Sequence, residues 1–260
     1  MGRLDKKVAV VTGAGQGVGL GIARRLAAEG ATVVVAEFNP ETGQQAAAAL
    51  GSDSIFIHTD ITRREQVLNM IAVTMQQFGR LDILVNNAYP TNTPPRRLED
   101  REDKDFEAAL RGGFMSAWWA MKAAFPLMKA QGWGRIINLC SLNGVNAHPF
   151  TAEYNSAKEG LRALSRTAAR EWAQHGICVN VLCPAARTPA YEMFEKYSPD
   201  NVAEMLKQNP MGYMGDPERD IGGVAVFLAS EDARYVTGNT LFADGGAHIN
   251  GVSWAPDLPG

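Results

Sequence analysis

Short apolar runs alternate along this chain with longer segments whose apolar residues recur every three or four positions. Residues 7–12 (KVAVVT) read as a buried strand, and after a glycine-rich turn a helical pattern runs through Leu20, Ile22, Leu26 and Ala27 to a stop at Gly30. The pattern repeats with a strand at 32–36, a strand at 54–59, a helix at 63–78 and a strand at 82–86. A charged, proline-bearing loop (94–104) precedes a long helical stretch from Phe106 to about Lys129, whose end Pro126 is expected to bend. A strand at 135–139, a helix from about Thr151 to His175 and a strand at 177–183 follow. Strands alternating with helices predict an α/β fold: a parallel sheet covered by helices on both faces. Ligands of such sheets bind beyond the carboxyl ends of the strands. Gly13, Glu37, Asp60, Asn87, Ser141 and Pro184 all fall at such ends.

Composition narrows the class. With 260 residues, 46% hydrophobic and 20% charged, the chain fits one large globular domain, 1–260. The formal charge is −3 and no basic cluster exceeds two consecutive residues, so no nucleic-acid partner is expected. No apolar run has the roughly 18 residues of a membrane span, and no signal-peptide core follows the first residues. Cys140, Cys178 and Cys183 lie in or beside apolar strand-like runs, which reads as reduced thiols in a cytoplasmic protein. No His/Cys grouping has metal-ligand spacing, and no metal is expected.

Two stretches carry candidate chemistry. In residues 13–19 (GAGQGVG), between a strand and a helix, glycines permit close backbone approach and the helix N-terminus offers N–H groups to a pyrophosphate. Glu37 ends the next strand, 24 residues after Gly13, where an acid accepts both ribose hydroxyls of NAD and repels the extra phosphate of NADP. The second stretch holds Ser141, Tyr154 and Lys158. Tyr154 and Lys158, four apart on a helix, share one face. A nearby ammonium favours a phenolate, and a cationic nicotinamide would favour it further, which suits the phenol to general acid/base work. Ser141 is placed to hydrogen-bond an alcohol or carbonyl oxygen.

Taken together, TGAGQGVG (12–19), Asp60, NNA (86–88), Ser141, Tyr154-x-x-x-Lys158, VNVLCP (179–184) and ADGG (243–246) resemble the short-chain dehydrogenase/reductase family over essentially the whole chain. The resemblance implies a Rossmann-type, doubly wound sheet of seven parallel strands, usually in homotetramers. It implies Tyr154 as acid/base, Lys158 as partner of the nicotinamide ribose and of the phenol, and Ser141 as holder of the substrate oxygen. Gly13, Gln16, Gly17, Val18 and Gly19 would cradle the cofactor, with Glu37 at the ribose, Asp60 at the adenine, and Phe38 and Ile61 as further cofactor contacts. Asn87, Ala88, Pro184, Ala185 and Thr188 would line the rest of its groove.

Three departures stand out. Tyr89 replaces the glycine that usually follows NNA and is expected to narrow the pocket. Pro184-Ala185 replaces Pro-Gly, with Thr188 one residue early. Gly113 stands where the family often carries an asparagine that holds a proton-relaying water. The substrate side is expected in a lid at about 187–215, rich in aromatics and methionines, with Tyr191 and Phe194 as contacts beside Tyr89, Asn143 and His148. Trp118 and Trp119 are expected in the core or a subunit interface, and the final VSWAPDLPG (252–260) either crosses to a neighbour or forms a loose tail. The expected activity is NAD-dependent interconversion of an apolar secondary alcohol and a ketone. The alternatives are reduction of a 3-oxoacyl thioester, or a cofactor-binding relative that has lost turnover, for which Gly113 is the support. Glu37 and Gln16 weigh against a dedicated NADPH reductase.

Overall fold

The computed structural model describes residues 2–90 and 93–249, so the 252–260 segment lies outside the described residues. Seven strands form one parallel sheet: β1 (Val8–Thr12), β2 (Thr32–Glu37), β3 (Ile55–His58), β4 (Ile83–Asn86), β5 (Gly134–Leu139), β6 (Ile177–Pro184) and β7 (Thr240–Ala243), in spatial order β3-β2-β1-β4-β5-β6-β7. This is the doubly wound arrangement. Strand order reverses at β1, where Val11 lies between Val35 of β2 and Val85 of β4. The crevice at that reversal is where such sheets bind dinucleotides.

The strands read as nearly continuous apolar runs because both faces are covered. One face buries Val11, Val33, Ile83 and Leu182 under α1 (Gly17–Ala28), α2 (Pro40–Ala49) and, after β6, α10 (Gly222–Ala229). The other buries Val10, Leu84, Ile136 and Val179 under α3 (Arg64–Phe78), α5 (Ser116–Gln131) and α7 (Ala152–Trp172). The remaining helices are α4 (Asp103–Ala109), α6 (Leu142–Val145), α8 (Pro189–Tyr197) and α9 (Pro199–Lys207).

The long helix expected over 106–129 is not one α-helix. Helix α4 starts earlier, at Asp103, because Glu102 and Asp105 form a reciprocal capping box there. Between α4 and α5, Leu110–Met115 takes the wider π-helical turn, with the Ser116 N–H donating to the Arg111 carbonyl five residues back. Gly112 and Gly113 lie inside that turn, and the Ser116 hydroxyl also donates to the Gly112 carbonyl. Pro126 lies within α5, which continues to Gln131 and ends at Gly132. Trp118 and Trp119 are half-buried on α5, with Trp119 packed against the α3/α5/α7 core.

Among the described residues no helix is long and apolar enough to cross a membrane. All three cysteines are free and buried. Burial pushes the Cys140 and Cys183 thiols up to about 12, so they are not thiolates at neutral pH despite lying next to the site.

Candidate active site

The glycine loop lies between β1 and α1 and is fastened from β4. The Thr12 hydroxyl accepts the N–H groups of Asn87 (3.0 Å) and Ala88 (3.1 Å), and the Asn87 amide donates to the carbonyls of Thr12 (2.9 Å) and Gly13 (3.2 Å). Gly13 and Gly17 have φ of +65° and +56°, in the left-handed region that glycine enters freely. A side chain at Gly13 would also press on the Asn87 amide and the Ala88 backbone, both 3.0 Å from its Cβ position. Gln16 precedes α1 without a side-chain cap bond, which leaves the N–H groups around Gly17, Val18 and Gly19 open to an anion.

Glu37 ends β2 beside the glycine loop. Its carboxylate accepts the Gly15 N–H (3.0 Å) through one oxygen and the Phe38 (2.9 Å) and Asn39 (3.1 Å) N–H groups through the other. Phe38 is exposed, its ring centroid 5.8 Å from that of His58. Asp60 accepts the Thr62 N–H (2.9 Å) and hydroxyl (2.7 Å), which fixes the turn that presents Ile61. Across the crevice Pro184 ends β6, Ala185 donates to Ala243 of β7, and Thr188 caps α8 by accepting the Tyr191 N–H. The Thr188 methyl lies 3.6 Å from the Cβ position of Gly17, so α8 begins directly over the glycine loop. The chain thus supplies a bare backbone cradle, an open helix N-terminus and a carboxylate beside the glycine loop at the end of β2, features that fit a nicotinamide dinucleotide.

Tyr154 and Lys158 of α7 lie at the end of β5, and Ser141 follows that strand by two residues. Ser141 caps the short α6, its hydroxyl accepting the Asn143 N–H at 3.2 Å. Lys158 is only 4% exposed, and its ammonium donates to the Leu139 carbonyl at the end of β5 (2.7 Å). No acidic side chain is within ion-pair distance of it among the described residues, and two of its three donors have no protein acceptor there, the outfit expected of a lysine that serves a bound ligand. Its Nζ lies 5.7 Å from the Tyr154 ring centroid and 5.3 Å from that of Tyr89. Tyr89 packs edge-on against Tyr154, centroids 4.8 Å apart at 80°.

The other residues expected on the substrate side divide. Asn143 and His148 lie in the loop over Ser141, where the His148 N–H donates to the Asn143 carbonyl and the Asn155 amide to the His148 carbonyl (2.9 Å). Tyr191 is turned inward, 9% exposed, whereas Phe194 on the same helix is 44% exposed. Met193, Tyr197, Met211 and Tyr213 join Phe194 as exposed apolar groups of the 187–215 segment.

Sequence reasoning passed over two groups of residues that hold this site. A buried ladder crosses the sheet: Asn86 of β4 donates to Asn138 of β5 (2.8 Å), Asn138 to Ser165 of α7 (2.7 Å), and Ser165 to the Leu161 carbonyl (2.6 Å). It ties the strand ends that carry Asn87 and Ser141 to the helix that carries Tyr154 and Lys158. The polar Asn138 inside an apolar strand run was its one signal. The second is Arg101, whose guanidinium approaches Glu153 to 3.0 Å and donates to the carbonyls of Pro94 (3.0 Å), Arg96 (3.4 Å) and Phe150 (2.7 Å). Phe150 (φ +68°) and Ala147 (φ +51°) are in the left-handed region, strained for side chains of their kind. Arg101 therefore pins a strained loop onto the residue before Tyr154. Among the described residues no group of three or more His, Cys, Asp or Glu side chains could hold a metal ion.

A family model described as enoyl-(acyl carrier protein) reductase matches residues 13–248. The chain is 39% identical over 255 residues to the uncharacterized oxidoreductase YxjF of Bacillus subtilis (strain 168), covering 94% of this chain and 98% of that one. The chain belongs to the short-chain dehydrogenase/reductase family. Another member, the 12alpha-hydroxysteroid dehydrogenase of Clostridium sp. (strain ATCC 29733 / VPI C48-50), is 35% identical over 257 residues, covering 95% of this chain and 98% of its own. The solved structure of levodione reductase superposes with a TM-score of 0.89 at 27% identity, covering 95% of this chain and 99% of that chain. Family members of this kind are oxidoreductases that use NAD(H) or NADP(H).

Proposed function

We propose that this protein interconverts a secondary alcohol and a ketone with NAD as cofactor, on an apolar substrate. One observation carries the reading: Tyr154 stands beside a buried lysine ammonium with unused donors, and Ser141 follows two residues after the end of the neighbouring strand. In this reading Tyr154 takes the hydroxyl proton during oxidation and returns it during reduction, Ser141 holds the oxygen, and Lys158 serves the nicotinamide ribose and the phenol. A bound nicotinamide supplies the hydride acceptor. The segment 187–215, with its exposed Met193, Phe194 and Tyr197, would close over an apolar substrate beside Asn143 and His148. A relative named as a hydroxysteroid dehydrogenase supports the substrate class. The deciding experiment is a panel of secondary alcohols, hydroxysteroids and short hydroxy acids among them, followed by nicotinamide absorbance with NAD and with NADP. The matching family model's description brings a second reading, reduction of an acyl thioester, so a 3-oxoacyl thioester with NADH and NADPH belongs in the same panel.

NAD is expected over NADP because the Glu37 carboxylate, held by three backbone N–H groups, stands at the edge of the cradle. It would accept ribose hydroxyls and repel a 2′-phosphate. Losing hydrogen bonds to a charged group costs about 1.5–3 kcal/mol, so Glu37→Ala should lower kcat/KM for NAD roughly tenfold to a hundredfold and relax the preference. Equal or better use of NADP by the parent protein would defeat this assignment. The half-buried Trp118 and Trp119 on α5 also support a symmetric tetramer like those usual in the family. Light scattering at micromolar concentration should give four times the chain mass of 28.1 kDa, and a monomer would refute it.

A further inference from the structure

Tyr89 and Gly113 occupy one volume between them. A Cβ on Gly113 would lie 2.7 Å from Tyr89 Cε2, 2.9 Å from Cδ2 and 3.2 Å from the Ala157 methyl, and a Cβ on Gly112 would lie 2.6 Å from Pro90 Cδ. The π-helical turn over Leu110–Met115 thus presents two bare backbone positions, and the Tyr89-Pro90 pair packs onto them. The Tyr89 ring also meets Tyr154 edge-on at 4.8 Å and lies 5.3 Å from the Lys158 ammonium. The ring is half-buried, and burial, reinforced by the charges of Glu153 and Tyr154, raises its own phenol well above the ordinary tyrosine range. The Tyr89 phenol is thereby held in its neutral form.

We infer that Tyr89, seated on the Gly112-Gly113 turn, is a positioning residue: its ring is the backstop that sets the Tyr154 phenol and shields the Lys158 ammonium from water. Three contacts act through one rigid ring. Edge-to-face packing restricts the tilt of Tyr154. The aromatic ring near Lys158 offsets the loss of water around a buried cation. Gly113 is what lets the ring sit there, because any side chain at that position would displace it.

This inference rests on the alcohol-oxidising reading, and its test is built so that the two can fail separately. The parent protein is first assayed on the alcohol panel, with NADH binding followed by fluorescence. Tyr89→Ala should then lower kcat by about tenfold or more, while the KM for NAD stays within about threefold because the glycine loop and Glu37 are untouched. Tyr89→Phe, which restores the ring without its hydroxyl, should recover most of the loss. Gly113→Ala should cost kcat about tenfold with Tyr89 present but no more than about twofold in the Tyr89→Ala background, since the displaced ring is then gone. Four outcomes would overturn the inference: Tyr89→Ala turning over within about twofold of the parent, Tyr89→Phe as impaired as Tyr89→Ala, Gly113→Ala costing the same in both backgrounds, or a loss confined to the KM for NAD. Any of these leaves the alcohol reading intact. A parent that binds NADH yet oxidises nothing in the panel overturns that reading, and the inference with it.

Discussion

Tyr154→Phe is expected to lower turnover by about 10²–10⁴-fold, the loss that follows removal of a general acid/base. The substitution keeps the ring, so its packing against Tyr89 and its place on α7 survive, and only the proposed proton carrier is gone. NAD binding should be largely retained, because the Gly13–Gly19 loop, Glu37 and the Thr12–Asn87 latch do not touch the phenol oxygen. Lys158→Ala should damage both turnover and NAD binding. That ammonium is fixed at 2.7 Å from the Leu139 carbonyl with two donors left for a ligand, so its loss would remove the proposed ribose partner as well as a charge beside the phenol. The comparison is made by steady-state kinetics and cofactor fluorescence titration on the same preparations. A Tyr154→Phe variant that turns over like the parent would mean that another group carries the proton.

Glu153→Ala is expected to destabilise the fold by about 3–5 kcal/mol, the cost of stranding one member of a buried ion pair. The Arg101 and Glu153 side chains are 1% and 3% exposed, and their closest atoms, 3.0 Å apart, lie off the hydrogen-bond axis, so the pair is held by charge. Removing the carboxylate leaves the guanidinium buried with Asp105, at 3.8 Å, as its one other acidic partner among the described residues. A loss of that size is a large part of the roughly 5–15 kcal/mol by which folded domains are stable. The strained Phe150 loop should loosen as well, since Arg101 links Glu153 to the Phe150 carbonyl. Urea unfolding should show the shift in midpoint, and Glu153→Gln, which keeps the shape and an acceptor, should lose less. A midpoint unchanged in Glu153→Ala would mean that water reaches the guanidinium freely.

What the sequence determined by itself was whatever depends on neighbours along the chain. The apolar runs of β1, β2, β4, β5 and β6 are legible because a strand buried on both faces has no polar side to interrupt it. The Gly13–Gly19 turn, the acid ending β2 and the i, i+4 placement of Tyr154 and Lys158 on α7 are equally local: each follows from backbone conformation over a few residues. The four-residue β7, half-buried along its length, carries too weak a periodicity to be read, and only resemblance to the family implied it.

Tertiary structure alone decided what meets across the sheet. The strand order places β4 between β1 and β5, and this brings Asn86 to Asn138 from 52 residues away and Asn87 to Thr12 from 75. The same crossing sets Arg101 against Glu153 and lowers Tyr89 onto Gly113, turning two departures that look independent in sequence into one packed contact. The π turn around Gly112 and Gly113 was equally invisible, because those residues would fit an ordinary helix and only the Tyr89-Pro90 pair pressing on them uses the wider one. Local preference is set by each residue and its chain neighbours, whereas such contacts depend on which strands become adjacent, a choice made by burying the whole core at once.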